Sequence, residues 1–196
     1  PYAVEVAAHI PLARGLGSSA SAVVGALAAA NALEGGPMDA TGLLRLATAI
    51  EGHPDNVAPA LLGGCVLCDD DHPYSLNWPA AWAVAAVIPT YAVKTEAARQ
   101  ALPSHYGLHD VVFTLRKASL LTYAIAGQHD AALRRALDDV VHQPYRKGLI
   151  PEFDRLSQAL RATDAYGLVI SGSGPTLLAI YPMAAQEGVL AAIART

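Results

Sequence analysis

The sequence predicts a two-layer α+β protein, and three observations lead there. Of its 196 residues, 53% are hydrophobic and 15% charged, which is the composition of a chain with a sizeable core. Helical and strand patterns intermix without the regular strand–helix alternation of a doubly wound sheet. Two short strands late in the chain are joined by a tight glycine turn, "SGSGPT".

Residues 3–10, "AVEVAAHI", alternate loosely and predict a strand that Pro11 ends, followed by a helix from Ser18 to Leu33. Asp39 caps a second helix, "ATGLLRLATAI", with Leu43, Leu44, Leu46 and Ala47 as its apolar stripe and Glu51 at its exit. "HPDNVAPALLGG" holds an apolar helical turn with a glycine stop. Strands follow at 64–68 and 83–88, flanking the polar link "DDDHPYSLNWPA", whose three aspartates read as a solvated turn. Helices are expected at 95–99, 110–126 and 130–141, with Gly127 at the junction of the last two, and another after "HQPYRKGLIPEF" up to Arg161. Strands at 166–171 and 177–181 and a helix over 184–195 complete the pattern. The chain opens on proline with a strand already under way, which predicts a longer protein with both ends missing here.

Charge and composition exclude several classes. The formal net charge is −4 and the 13 Lys and Arg are spread singly, so nucleic acid is not an expected partner. The apolar run from Ala20 to Leu33 is broken by Gly25 and Asn31 and falls short of a bilayer span, so no membrane is expected and the run reads as a buried helix. Two cysteines and no evident signal peptide make a reducing cytoplasm the expected compartment. Cys65 and Cys68 are three apart on a predicted strand, which sends their side chains to opposite faces and argues against a redox or zinc pair.

The chemistry is concentrated in "PLARGLGSSASA", residues 11–22. Its glycines allow backbone angles closed to other residues and leave room beside the chain, while Ser18 and Ser19 stand at a helix start, where unpaired N–H groups and the helix dipole favour phosphate. The lysine of the common phosphate loop is absent, leaving Arg14, backbone groups or a metal ion to supply positive charge. Ser19 offers a hydroxyl to Mg²⁺, and a carboxylate is wanted beside it. Glu51, at the end of an apolar helix and the start of the polar stretch "EGHPDN", is the candidate.

These residues resemble the ATP-binding loop of the GHMP kinases, most closely the homoserine kinase branch. "EGHPDNVAPALLGG", "TEAARQALP", "HQPYRKGLIPEFD" and "SGSGPTLLA" resemble that branch's stretches in its order, over essentially the whole chain. The strands bearing an "ANLGPGFD"-like stretch with which that branch opens have no counterpart.

The resemblance implies two α+β domains. The first, 1–90, would be like the second domain of ribosomal protein S5 and incomplete at its start. The second, 91–196, would be ferredoxin-like. It also implies transfer of the γ-phosphoryl of ATP to the side-chain hydroxyl of L-homoserine, on the route to threonine. Pro11, Leu12, Ala13, Arg14, Gly15, Leu16, Gly17, Ser18, Ser19 and Ala20 would surround the triphosphate, with Ser19 and Glu51 on Mg²⁺. Gly15 to Ser18 would act through backbone N–H groups.

Asn56 is expected at the place where related kinases carry a catalytic aspartate, and an amide cannot take a proton from a hydroxyl at neutral pH. Asp55 reads as a cap or a supporting group. Arg146 would read the substrate carboxylate, since a planar guanidinium matches it in two-pronged fashion. Ser173, in the glycine turn, is expected against a phosphate or the loop, and His9, His53, His109 and Trp82 read as core, cap or surface residues. Another small-molecule alcohol kinase of the superfamily, such as mevalonate kinase, and an inactive nucleotide-binding or structural fragment stand as alternatives. Pairing of two copies as a homodimer is left open.

Overall fold

The computed structural model describes residues 3–70 and 72–196. Helix α1 (Ser18–Leu33) starts directly after Gly17, which takes φ 70° and makes the sharp entry. Its small side chains let α2 (Ala40–Glu51) and α3 (Val57–Leu62) approach closely, and Ala20, Val24, Leu44, Ala47, Val57 and Ala58 form one core. Asp39 caps α2 as expected, its carboxylate accepting the Gly42 N–H at 2.8 Å.

Strands β1 (Cys65–Asp69) and β2 (His72–Leu76) pair as an antiparallel hairpin. Val66 and Cys68 pack against the α1–α3 core, whereas Cys65 and Leu76 pack against the core of the second half, so the two cysteines do face opposite ways. Both thiols are free, and burial raises their pKa.

The second sheet has the order β3–β5–β4, all antiparallel, from β3 (Trp82–Val87), β4 (Gly167–Ile170) and β5 (Leu177–Pro182). Strand β3 thus lies before residue 90 in the chain but hydrogen-bonds into the sheet of the later segment. Alternation along the strands separates two faces. Val169 and Ile180 join Ala124, Ile125 and Leu133 of α5 (Leu108–Gly127) and α6 (Asp130–Ala136), while Ala179 and Tyr181 meet α8 (Phe153–Leu160) and α9 (Gln186–Ala194). Trp82, 3% exposed, donates its indole N–H to Asp130 Oδ1 at 2.7 Å and fastens β3 to the start of α6. Beside it, burial and Asp130 push the Tyr166 phenol up to about 12.

Four local expectations are corrected. Residues 3–10 form no strand: among the described residues none pairs with them, and Val4 and Val6 are 84% and 77% exposed. Alternation makes a segment competent for a ladder, but a strand exists only with a partner. Residues 72–76, expected within a polar link, are β2. Pro73 is accommodated because every strand of a two-stranded sheet is an edge. Helix α6 stops at Ala136 rather than 141, because the Asp139 carboxylate takes the N–H groups of Val141, His142 and Gln143 and so ends helical pairing. That same cap starts α7 (Gln143–Arg146) and a 3₁₀ turn over Lys147–Leu149, where the sequence suggested loop. The short helix expected at 95–99 is α4 (Thr95–Gln100). Of the three aspartates, Asp70 takes a turn conformation with φ 47°, and Asp71 lies outside the described residues.

Candidate active site

A cleft of about 610 Å³ runs between the start of α1 and the segment that carries α7. One wall is the glycine loop, in which Ala13, Gly15 and Gly17 all have positive φ (54°, 72° and 70°). No side chain caps α1, and Ser18 and Ser19 at its start line the cleft.

The loop is pressed against the turn between β4 and β5, which contains a cis Gly174–Pro175 peptide. Ser171 Oγ donates to the Gly15 carbonyl at 2.7 Å, and the Thr176 N–H donates to the Arg14 carbonyl at 3.2 Å. A Cβ on Gly15 would lie 2.2 Å from the Ser171 carbonyl oxygen, so only glycine fits this approach. Two glycine-rich stretches, 156 residues apart, thus form one surface, as the sequence suggested.

Ser19 Oγ donates to Glu51 Oε2 at 2.9 Å. Two hard oxygen donors from neighbouring helices therefore meet at the cleft edge. Mg²⁺ takes one or two protein oxygens beside phosphate and keeps several waters, and this pair fits that demand. Among the described residues no group of three or more His, Cys, Asp and Glu offers a fuller cage.

Asn56 is placed at the cleft with its side chain against Gly17, where an added Cβ would sit 3.3 Å from Asn56 Oδ1. Asp55 accepts the Asn56 N–H at 3.0 Å and lies against the His53 ring, while no side chain caps α3. His53, expected as a core, cap or surface residue, is part of the cleft wall.

On the opposite wall Arg146 is half-buried. Its Nε donates to the Ala98 carbonyl at 3.3 Å and Nη1 to the Gly172 carbonyl at 3.0 Å, which fixes the head while leaving three of its five N–H groups for a ligand.

Not every residue of the predicted loop reaches the cleft. Ala13, Gly15, Gly17, Ser18 and Ser19 line it; Pro11, Leu12 and Leu16 do not, and Ala20 is wholly buried in the α1–α3 core. The Arg14 head is turned to backbone carbonyls, with Nη2 on Thr90 O at 2.7 Å and Nε on Pro89 O at 3.0 Å. Ser173 lines the cleft, as do Thr95, Arg99, Asp139, His142 and Gln143, to which the sequence alone assigned no role. Thr95 and Arg99 stand in the stretch "TEAARQALP". Their signal was a motif without a chemical pattern of its own.

An α+β fold that presents a glycine loop at a helix start, a hydroxyl–carboxylate pair and a second glycine turn in one cleft has the features that the GHMP resemblance implies. The chain belongs to the GHMP kinase family: the family model of the GHMP kinases N terminal domain matches residues 1–64, and that of the GHMP kinases C terminal region matches 121–196. It is 50% identical over 184 residues to the homoserine kinase of Synechocystis sp., covering 92% of this chain and 60% of that one. The homoserine kinase of Gloeobacter violaceus is 43% identical over 197 residues, covering 99% and 66%. The crystal structure of homoserine kinase from Cytophaga hutchinsonii superposes with a TM-score of 0.89 at 32% identity, over 96% of this chain and 63% of that one. The chain therefore spans less than two thirds of the length of each of these relatives. Among the described residues no helix is long and apolar enough to cross a membrane.

Proposed function

We propose that this chain carries most of the active site of a homoserine kinase, which transfers the γ-phosphoryl of ATP to the side-chain hydroxyl of L-homoserine and releases ADP and O-phospho-L-homoserine. The observation that carries the reading is a single cleft with an uncapped helix start behind a glycine loop on one wall and a fixed, half-buried arginine on the other. The similarity to homoserine kinases supports the choice of substrate.

In this reading the N–H groups of the loop and of α1 cradle the triphosphate, and Ser19 and Glu51 hold Mg²⁺, which when bound supplies positive charge beside the transferring oxygens. Arg146 orients the substrate by its carboxylate, bringing the hydroxyl oxygen in line with the γ-phosphorus. The new O–P bond forms as the bond to the bridging oxygen breaks. Asn56 orients groups beside Gly17 and takes no proton, so the hydroxyl proton passes to phosphate or solvent. Alignment and charge neutralisation carry most of such a transfer.

Steady-state kinetics on the full-length protein test the reading, with L-homoserine compared against an uncharged alcohol that lacks the carboxylate. Strong preference for L-homoserine is expected. Equal turnover of the two, or preference for a phosphorylated alcohol, overturns the substrate assignment and leaves another kinase of the family in its place.

A further inference from the structure

A cation in the middle of a phosphate-binding loop invites assignment as a phosphate ligand, yet the Arg14 head is already committed. Its Nε and Nη2 donate to Pro89 O and Thr90 O at 3.0 and 2.7 Å, and Nη1 donates to Leu12 O at 3.2 Å and Ala13 O at 3.5 Å. Four contacts to carbonyls use four of the five guanidinium N–H groups. The backbone of the same residue is held too, its carbonyl accepting from Thr176. The next residue, Gly15, accepts from Ser171.

The carbonyls that Arg14 holds belong to the link between β3 and α4. That link is itself fastened, because the Tyr91 hydroxyl donates to Glu152 Oε2 at 2.5 Å, and it leads shortly to Thr95 and Arg99 on the cleft wall. We infer that Arg14 is a positioning residue: its guanidinium clamps the glycine loop to the Pro89–Thr90 link, and so sets the direction in which the loop N–H groups face the cleft. The loop needs such a clamp. Ala13 is a non-glycine residue with positive φ, a sparsely populated conformation that persists only where its surroundings hold it.

The inference rests on the kinase reading for its ligand, ATP, but not for its geometry, and the test separates the two. Arg14→Met, Arg14→Lys and Ser171→Ala are made in the full-length protein. Amide hydrogen exchange of residues 13–19 is measured without nucleotide, and the KM values for ATP and L-homoserine are measured separately. Both Arg14 variants are expected to speed loop exchange by at least about tenfold. Both should raise the ATP KM by a similar factor with the L-homoserine KM changed less than about threefold, because a lysine ammonium cannot span two carbonyls as the planar fork does. Ser171→Ala, a milder loosening of the same loop, should move exchange and ATP KM in the same direction and combine non-additively with Arg14→Lys. Recovery of the ATP KM in Arg14→Lys but not in Arg14→Met would make Arg14 a phosphate ligand and overturn the inference, as would unchanged loop exchange in Arg14→Met. If the unaltered protein fails to bind ATP, the kinase reading falls, while the exchange measurements still decide whether the clamp exists.

Discussion

The two walls of the cleft are built on opposite plans. The glycine-loop wall is made of backbone: it takes its shape because Gly15 and Gly17 accept positive φ and because the second glycine turn lies against it. The Arg146 wall is made of side chains on a four-residue helix too short to be stable alone, and it is held by the Asp139 cap and by carbonyls of α4 and the glycine turn. At Gly15 the first wall cannot take a larger residue without changing its shape. The second can lose a contact and keep its shape, and this contrast ranks the expected effects of mutation.

The largest effect belongs to Gly15→Ala. Its Cβ would meet the Ser171 carbonyl oxygen at 2.2 Å and two atoms of Gly174 at 2.9 Å, all of them backbone. The two glycine stretches must part, and ATP binding is expected to fall by more than about 1,000-fold, on the order of 4 kcal/mol. Gly35→Ala is the control. Gly35 also has positive φ, but nothing lies within 4 Å of the added carbon, so only the conformational cost of about 1–2 kcal/mol in stability applies, with ATP affinity retained. Calorimetry with Mg²⁺–ATP and thermal unfolding of both variants decide it, and equal ATP affinity in the two would mean that the close approach at Gly15 does not shape the glycine-loop wall.

Next comes Glu51→Gln, which keeps the size and the acceptor for Ser19 but removes the charge. Turnover should drop at least about 100-fold, roughly 3 kcal/mol at the transition state. A loss below about threefold with unaltered Mg²⁺ dependence would leave Glu51 as a structural partner of Ser19 alone.

Arg146→Leu is expected to raise the L-homoserine KM by about 30-fold, near the 2 kcal/mol of a charge-assisted contact. The ATP KM should rise a few-fold at most, through the lost hold on Gly172, which neighbours Gly15. Initial-rate kinetics with each substrate varied in turn separate the two. A larger effect on ATP than on L-homoserine would move Arg146 to the nucleotide wall.

The same contrast explains what the sequence could reveal. The backbone wall was legible because its chemistry is local: "GLGSS" ahead of an apolar run needs only glycine angles and a helix start to be read. The Ser19–Glu51 contact followed from asking which carboxylate a hydroxyl on Mg²⁺ would want, and the structure places the two 2.9 Å apart. The orientation of Arg14 was not legible, because the partners that tie it to another element are carbonyls about 75 residues away and any residue supplies those. The side-chain wall was readable only through likeness to a family. Asp139, expected inside a helix over 130–141, instead accepts from Gln143 at the start of the short helix that carries Arg146, and the missed β2 and early end of α6 share that cause. Short elements fixed by a cap or by an edge pairing leave too few periodic residues to register.

The smallest effect tests the support of the side-chain wall. Asp139 Oδ1 accepts from Val141 N at 2.7 Å, and Oδ2 accepts from Gln143 N at 2.8 Å. Gln143 in turn accepts from Ile170 N at 3.0 Å and donates to Leu137 O at 3.4 Å, so the start of α7 is tied to the end of β4. Arg146 stands at the other end of that single turn of helix. Loss of a helix cap costs about 1 kcal/mol, and if that looseness reaches Arg146 the L-homoserine KM should rise about fivefold in Asp139→Ala, with ATP KM unchanged. Asp139→Asn retains one of the two accepting oxygens and should restore part of the loss. A raised L-homoserine KM with amide exchange of residues 141–143 unchanged in both variants would assign Asp139 to the ligand. No change in either variant would mean that the carbonyls of Ala98 and Gly172 hold Arg146 without help from α7, and the side-chain wall would then be as rigid as the backbone one.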